Sequence, residues 1–188
     1  MDKLTEIEII ESVIKGNEAD YELLINLHKN KTFTLLKRIL KNEQDAEEVL
    51  QDVFLKVYYK LSTFKGESKF STWLYKIAYN TALTKLASKK RKIEIEMSSI
   101  EKHFDLKELD NKHYSETNSA ESYLFKILEE MPIRYAVIIN LFYIDNLSVK
   151  EISEVINTSI VNVKVMLHRA RNILRDLLVK HNYQEELL

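Results

Sequence analysis

The chain has 188 residues, a formal net charge of −1, 45% hydrophobic and 30% charged residues, two glycines, one proline and no cysteine. This is the composition of a folded chain with a sizeable core, not of a disordered tail. So few Gly and Pro argue against sandwiches, barrels and glycine-rich phosphate loops, and the lack of Cys excludes disulfides, thiolate zinc sites and thiol catalysis.

Residues 1–15 read as a helix with Leu4, Ile7, Ile10 and Ile14 at helical spacing, closed by Gly16, with Asn17 suited to cap the next helix. That second helix carries Leu24, Leu27, Phe33, Leu36, Ile39 and Leu40. Asp45, with Glu48 three residues on, reads as the N-cap of a third helix whose face is Ala46, Val49, Val53, Val57 and Leu61. The pattern breaks over 62–69, around Gly66. It resumes from Phe70 to about Ala87, with Trp73, Ile77, Ala78 and Thr81 on one face, and ends in Lys89-Lys90-Arg91-Lys92.

Residues 93–122 change character, with eight acidic residues against three lysines and a rise in Ser, Asn and Thr. They read as a polar acidic linker between two helical domains, 1–92 and 123–188. Packing of the two domains against each other would point to a self-inhibited free state. Helical periodicity returns at Leu124, Ile127 and Leu128, breaks at Met131-Pro132, and resumes over about Arg134–Tyr143. Ser148 and Glu151 form a capping box for a short helix ending near Ile156. A turn at Asn157-Thr158-Ser159 then leads into a long helix with Val163, Leu167, Ala170, Leu174 and Leu177 as its core stripe.

A short capped helix, a three-residue turn and a longer helix make a helix-turn-helix unit. Lys164, His168, Arg171 and Arg175 share one side of the longer helix, and no acidic residue occurs from 160 to 175. Such a stripe can neutralise phosphates, while Asn162, near the helix start, can reach base edges. In the first domain, Phe70, Trp73, Tyr75 and Tyr79 interleave with Lys69, Lys76 and Lys85. Large aromatics on an amphipathic helix commonly belong to the core. Rings beside cations are also what single-stranded nucleic acid needs, because bases stack on the rings and the cations follow the backbone. Glu48, Gln51 and Asp52 form a polar strip with Leu55 and Tyr59 nearby, suited either to solvent or to a basic helical partner.

DAEEVLQDVFLKVYYKL and FKGESKFSTWLYKIAYNTALTKL resemble region 2 of bacterial sigma factors, and LEEMPIRYAVIINLFYIDNLSVKEISEVINTSIVNVKVMLHRARNIL resembles their region 4. Both modules in this order, without region 3, resemble the extracytoplasmic-function (ECF) group of the sigma-70 family. The resemblance implies an all-α fold of two small domains. It implies a protein that binds core RNA polymerase, directs it to promoters and helps open the DNA, without enzymatic activity, cofactor or metal. It also implies an anti-sigma factor as partner. On this resemblance Glu48, Gln51, Asp52 and Leu55 match the strip that docks the polymerase's clamp helices. Lys65, Ser68 and Lys69 lie in the loop that captures a base of the minus-ten element, and Trp73, Lys76 and Asn80 on the helix that supports the opened strand. Asn162, Lys164, His168, Arg169 and Arg171 lie on the helix that reads the minus-thirty-five element. In that family glycine is frequent where Asn157 and Val161 stand, and arginine where Met166 stands; methionine cannot pair with a phosphate.

Two other readings compete. A stand-alone helix-turn-helix regulator would explain the second half only. A helical metal hydrolase finds little support, because His28, His103, His113, His168 and His181 form neither H-E-x-x-H nor E-x-x-H. No apolar run approaches the ~18 residues of a membrane helix, so no membrane insertion is expected. The acidic, amphipathic MDKLTEIEII is unlike a secretory signal, and a cytoplasmic location is expected.

Overall fold

The computed structural model describes residues 5–99 and 120–181, and these are helical, without a strand. Helices α1 (Glu6–Ile14), α2 (Glu18–Leu40), α3 (Glu43–Lys60) and α4 (Phe70–Ser99) build a first lobe. A second lobe comprises α5 (Ala120–Glu130), α6 (Ile133–Ile139), a π-type turn (Asn140–Ile144), α7 (Val149–Val155) and α8 (Ile160–Lys180). Helix α4 continues past residue 92 to Ser99, so its backbone enters the stretch read as linker; 100–119 lie outside the described residues.

Local chemistry explains the starts and stops. Thr5 and Glu8 make a reciprocal capping box on α1. Helix α3 begins one turn earlier than its sequence suggests. Asn42, not Asp45, is the cap, its Oδ1 accepting the Asp45 N–H at 2.9 Å. Ser148 and Glu151 form the expected box on α7, and Ser159 caps α8 by accepting the Asn162 N–H at 3.2 Å. Asn157, in the turn between them, has φ 51°, a left-handed conformation that asparagine tolerates better than most residues.

The first-lobe core joins Ile9, Ile10 and Val13 of α1 to Leu24, Leu36 and Ile39 of α2, Val49, Val53 and Val57 of α3, and Leu74, Ala78 and Ala82 of α4. In α1 the buried face differs from the expected one: Ile7 is 68% exposed and Ile14 is 47% exposed. The same apolar cluster runs on into the second lobe through Ile138, Leu141, Leu147, Ile152 and Leu167. The lobes are therefore packed together, α4 against α7 and α2 against α6.

Polar groups line this contact. The Tyr75 hydroxyl, on a residue 1% exposed, donates to Asp145 Oδ1 at 3.1 Å. Asn140 Nδ2 donates to the other carboxylate oxygen at 2.6 Å. Burial raises the Asp145 carboxyl, while the Tyr75 hydroxyl, Lys31, Arg38 and the Asn140 amide work against that rise. Nearby, Lys69 Nζ sits 3.0 Å from Glu151 Oε1, and the Thr72 hydroxyl donates to the same oxygen at 3.4 Å. Burial opposes ionisation of Glu151. The Ser148 N–H and hydroxyl together with the Lys69 ammonium outweigh it and hold the carboxyl down at about 2.

Candidate nucleic-acid and polymerase interfaces

Three surfaces carry the residues singled out by sequence. On α3, Glu48, Gln51, Asp52 and Leu55 all face solvent, so packing of the lobes leaves this strip uncovered. It is not a purely acidic face. Glu48 Oε2 pairs with Lys85 Nζ at 2.6 Å, and Asp45 pairs with Lys89 and, at 4.0 Å, with Lys85. These pairs staple α3 to α4, and the hydrogen bond that Lys85 donates to Glu48 raises the Lys85 ammonium. Beside the strip, Leu55 at 57% and Tyr58 at 39% exposed border an apolar groove of about 560 Å³ between α2 and α3. Its floor includes Ile25, Leu50 and Phe54. The Tyr21 hydroxyl donates to the Phe54 carbonyl, and the Tyr21 and Tyr58 rings meet edge-on at 5.0 Å, which fixes the wall.

The second surface is a groove of about 460 Å³ between α3 and α4, lined by Lys56, Lys60, Trp73, Lys76, Asn80 and Thr84 among others. Trp73 serves both readings of its role. One side packs on Phe64 and Phe70 with ring centroids 5.5 and 5.7 Å away, and it also lines the groove. The fully buried stripe of α4 lies beside it, at Phe70, Leu74, Tyr75 and Ala78. Lys76 and Asn80 are exposed, and Asn80 Nδ2 donates to the Lys76 carbonyl at 2.8 Å. Lys56 and Lys60 escaped the sequence reading. They stand four residues apart on α3, a spacing that stacks side chains on one helix face and could have revealed them.

The loop residues do not join this groove's lining. Lys65 is exposed, and Ser68 is half-buried with its hydroxyl donating to the Lys69 carbonyl at 3.4 Å. Lys69 turns toward Glu151 of the second lobe. Helix α4 is thus covered by α7 on its Thr72–Tyr75 side and open along Trp73–Lys76–Asn80.

The third surface is α8. Val163, Leu167 and Ala170 are buried, and Asn162, Lys164, His168, Arg169 and Arg171 are exposed. Arg171 is drawn back to its own lobe: its Nε donates to the Tyr143 hydroxyl at 2.8 Å, and its guanidinium lies 5.9 Å from the Phe142 and Tyr143 ring centroids. Asn162 Nδ2 donates to Thr158 Oγ1 at 2.8 Å, which fixes its amide at the helix start. Met166 is half-buried against both apolar clusters, so it serves packing where an arginine would reach phosphate. Among the described residues no group of three or more His, Cys, Asp or Glu is placed to hold a metal ion.

Family models match both halves: Sigma-70 region 2 over residues 24–92, and Sigma-70, region 4 over residues 122–174. Over 177 residues the chain is 31% identical to the ECF RNA polymerase sigma factor SigW of Bacillus subtilis, covering 88% of this chain and 92% of that relative. The chain belongs to the ECF sigma factors. It is also 30% identical to the ECF RNA polymerase sigma-E factor of Escherichia coli, covering 90% and 92% of the two chains. Among solved structures, the sigma factor RpoE in complex with the anti-sigma factor NepR from Bartonella quintana has a similar fold. Its TM-score is 0.67 at 18% identity, covering 85% of this chain and 96% of that one. CnrH in complex with the cytosolic domain of CnrY gives 0.65 at 20% identity, over 92% and 96%. As an ECF sigma factor, this chain acts with RNA polymerase in promoter-specific transcription initiation. Among the described residues no helix is long and apolar enough to cross a membrane.

Proposed function

We propose a division of labour among the three surfaces. The strip Glu48–Gln51–Asp52–Leu55 on α3 docks the clamp helices of core polymerase. The groove between α3 and α4, with Trp73, Lys76 and Asn80, takes the opened strand of the minus-ten element, and Lys56 and Lys60 add charge to its other wall. Lys65, Ser68 and Lys69 capture a base once Lys69 leaves Glu151. Asn162, Lys164, His168 and Arg169 of α8 engage the minus-thirty-five duplex, with Arg171 bracing the helix on Tyr143. The working domains are 1–92 and 123–188, joined by 93–122, a division supported by family matches that end at 92 and begin at 122.

The observation that carries this reading is the groove beside Trp73, where three lysines and an indole line one channel. Extruding a base costs a few kcal/mol. Stacking each base on a ring offsets roughly 1–3 kcal/mol, and the lysines follow the phosphates. The chain itself needs no catalytic group for this, and we assign it none. A cytoplasmic site of action follows from the polymerase it serves. An anti-sigma protein is the expected regulator, a reading supported by the fold shared with RpoE and CnrH, each solved with such a partner or its cytosolic domain. The exposed α3 strip and adjoining apolar groove are the surface we assign to it, in competition with polymerase.

The test is transcription in vitro with core polymerase on genomic fragments, with start sites mapped. Specific starts that depend on this chain are expected. They are lost with Lys76→Glu, while polymerase binding persists. Tight specific binding to duplex promoter DNA without polymerase would instead favour a stand-alone regulator.

A further inference from the structure

The outward face of α8 has an apolar centre. Successive helical residues are turned by about 100°, so the direction opposite the buried Val163–Leu167–Ala170 stripe falls within about 30° of both Val161 and Val165. Val161 is 72% exposed and Val165 is 41% exposed. The polar residues lie to either side, Lys164 and His168 on one flank and Asn162 and Arg169 on the other, displaced from that centre by about 50–90°. A β-branched residue exposed on a helix gains nothing from burial and is a poorer helix former than alanine. Single exposed valines need no explanation. Two of them, one turn apart at the centre of a cation-flanked face in the first half of a recognition helix, sit where base edges are read.

We propose that Val161 and Val165 read thymine methyl groups in the major groove of the upstream promoter element. The 5-methyl of thymine is the apolar group that an ordinary base pair offers there, so an apolar side chain favours T over C. The spacing fits. Four helical residues rise about 6 Å, close to two base-pair steps of about 3.4 Å. The flanks carry the charge, so Lys164 and Arg169 set position on the phosphates while the valines select sequence. Asn162, held by Thr158, lies between these roles at the helix start. This inference rests on the reading of α8 as the duplex-binding helix and adds the base class that it selects.

The experiment uses polymerase holoenzyme assembled from core and the full chain. A preferred upstream element is first selected from a randomised promoter pool. Each dT in it, on either strand, is then replaced by dU, which removes the methyl alone. The expected result is one or two positions at which dU lowers promoter binding by about fourfold, the transfer value of one methyl-sized group. With Val161→Ala or Val165→Ala, one of those positions ceases to distinguish dT from dU. Both valines are exposed, so folding is retained, and an unchanged melting curve verifies it. A selected element without T, silent dU at every position, or equal dU sensitivity in wild type and variants would each overturn the proposal while leaving α8 a duplex-binding helix. Silent dU together with weaker core binding by the variants would place the valines against polymerase instead. Absence of any upstream footprint would remove the duplex-binding reading itself, and the proposal with it.

Discussion

The two surfaces proposed for nucleic acid are prepared differently. On α8 no acidic residue occurs between 160 and 175, so its cations have no opposite charge on their own stretch of helix. Around α4 several cations are already matched, Lys69 with Glu151, Lys85 with Glu48, and Lys89 with Asp45, while Lys76 stays exposed in the groove. A phosphate approaching α8 meets open charge. One approaching the start of α4 must take the place of a carboxylate. Lys69 is itself exposed, so the exchange is open to it, but it is a step that α8 does not need. On the function proposed above, α8 is ready for duplex in the free chain, whereas Lys69 at the start of α4 is released only when the lobes part.

The sharpest way to separate the surfaces is to disable each alone. Lys76→Glu in the groove is expected to reduce open-complex formation by tenfold or more, since it reverses charge where bases stack at roughly 1–3 kcal/mol each. The upstream footprint should persist. Lys164→Ala with Arg169→Ala should do the opposite, abolishing the upstream footprint while leaving binding to a pre-melted template. If both cations contact phosphate, the slope of log affinity against log salt falls by about one per residue. Titration in a salt series measures this, and an unchanged slope would remove both residues from the phosphate contacts.

A middle-sized effect concerns the exposed strip on α3, which neither proposed nucleic-acid site uses. Gln51→Lys with Asp52→Lys reverses the exposed strip without touching buried residues. Affinity for core polymerase, measured by fluorescence titration, should fall several-fold while both DNA-facing surfaces stay intact. Unchanged affinity would exclude the strip from docking.

How much of this was legible in the sequence divides along the same line. Local chemistry was readable: the Ser148–Glu151 box and the buried side of α8 follow from spacings of a few residues. Misreadings arose where a better local partner lay one turn away, as with Asn42 in place of Asp45, or where burial depended on a distant element. Tyr75 and Thr72 look like surface residues of an amphipathic helix until α7 covers them. The pairs of Lys85 and Lys89 with Glu48 and Asp45 join residues about forty positions apart, which no periodicity reports. On α8 the charge pattern marks only the flanks, and the apolar centre formed by Val161 and Val165 lies between them.

The smallest expected effects probe the contact that makes the surfaces unequal. Glu151→Gln keeps the capping box, because glutamine fills that role, and removes the charge that holds Lys69. The free chain should then bind a single-stranded minus-ten oligonucleotide about twofold to fivefold more tightly, the release of a pair of this kind. The same variant gives a pH signature. The Glu151 carboxyl is held at about 2 in the folded chain against an ordinary 4.5. Its contribution to stability is therefore complete above 4.5 and is lost as pH falls toward 2. Asp145 has the opposite sign. Its carboxyl is raised, so its contribution is greatest while protonated and declines as pH rises through its folded value. The gap in melting temperature between wild type and Glu151→Gln should accordingly shrink as pH is lowered from 4.5 toward 3. Asp145→Asn should instead flatten the loss of stability on the rising side. A gap that is constant with pH would show that the Glu151 carboxyl is not held below its ordinary value in the folded chain, and would remove its charge from what joins the lobes.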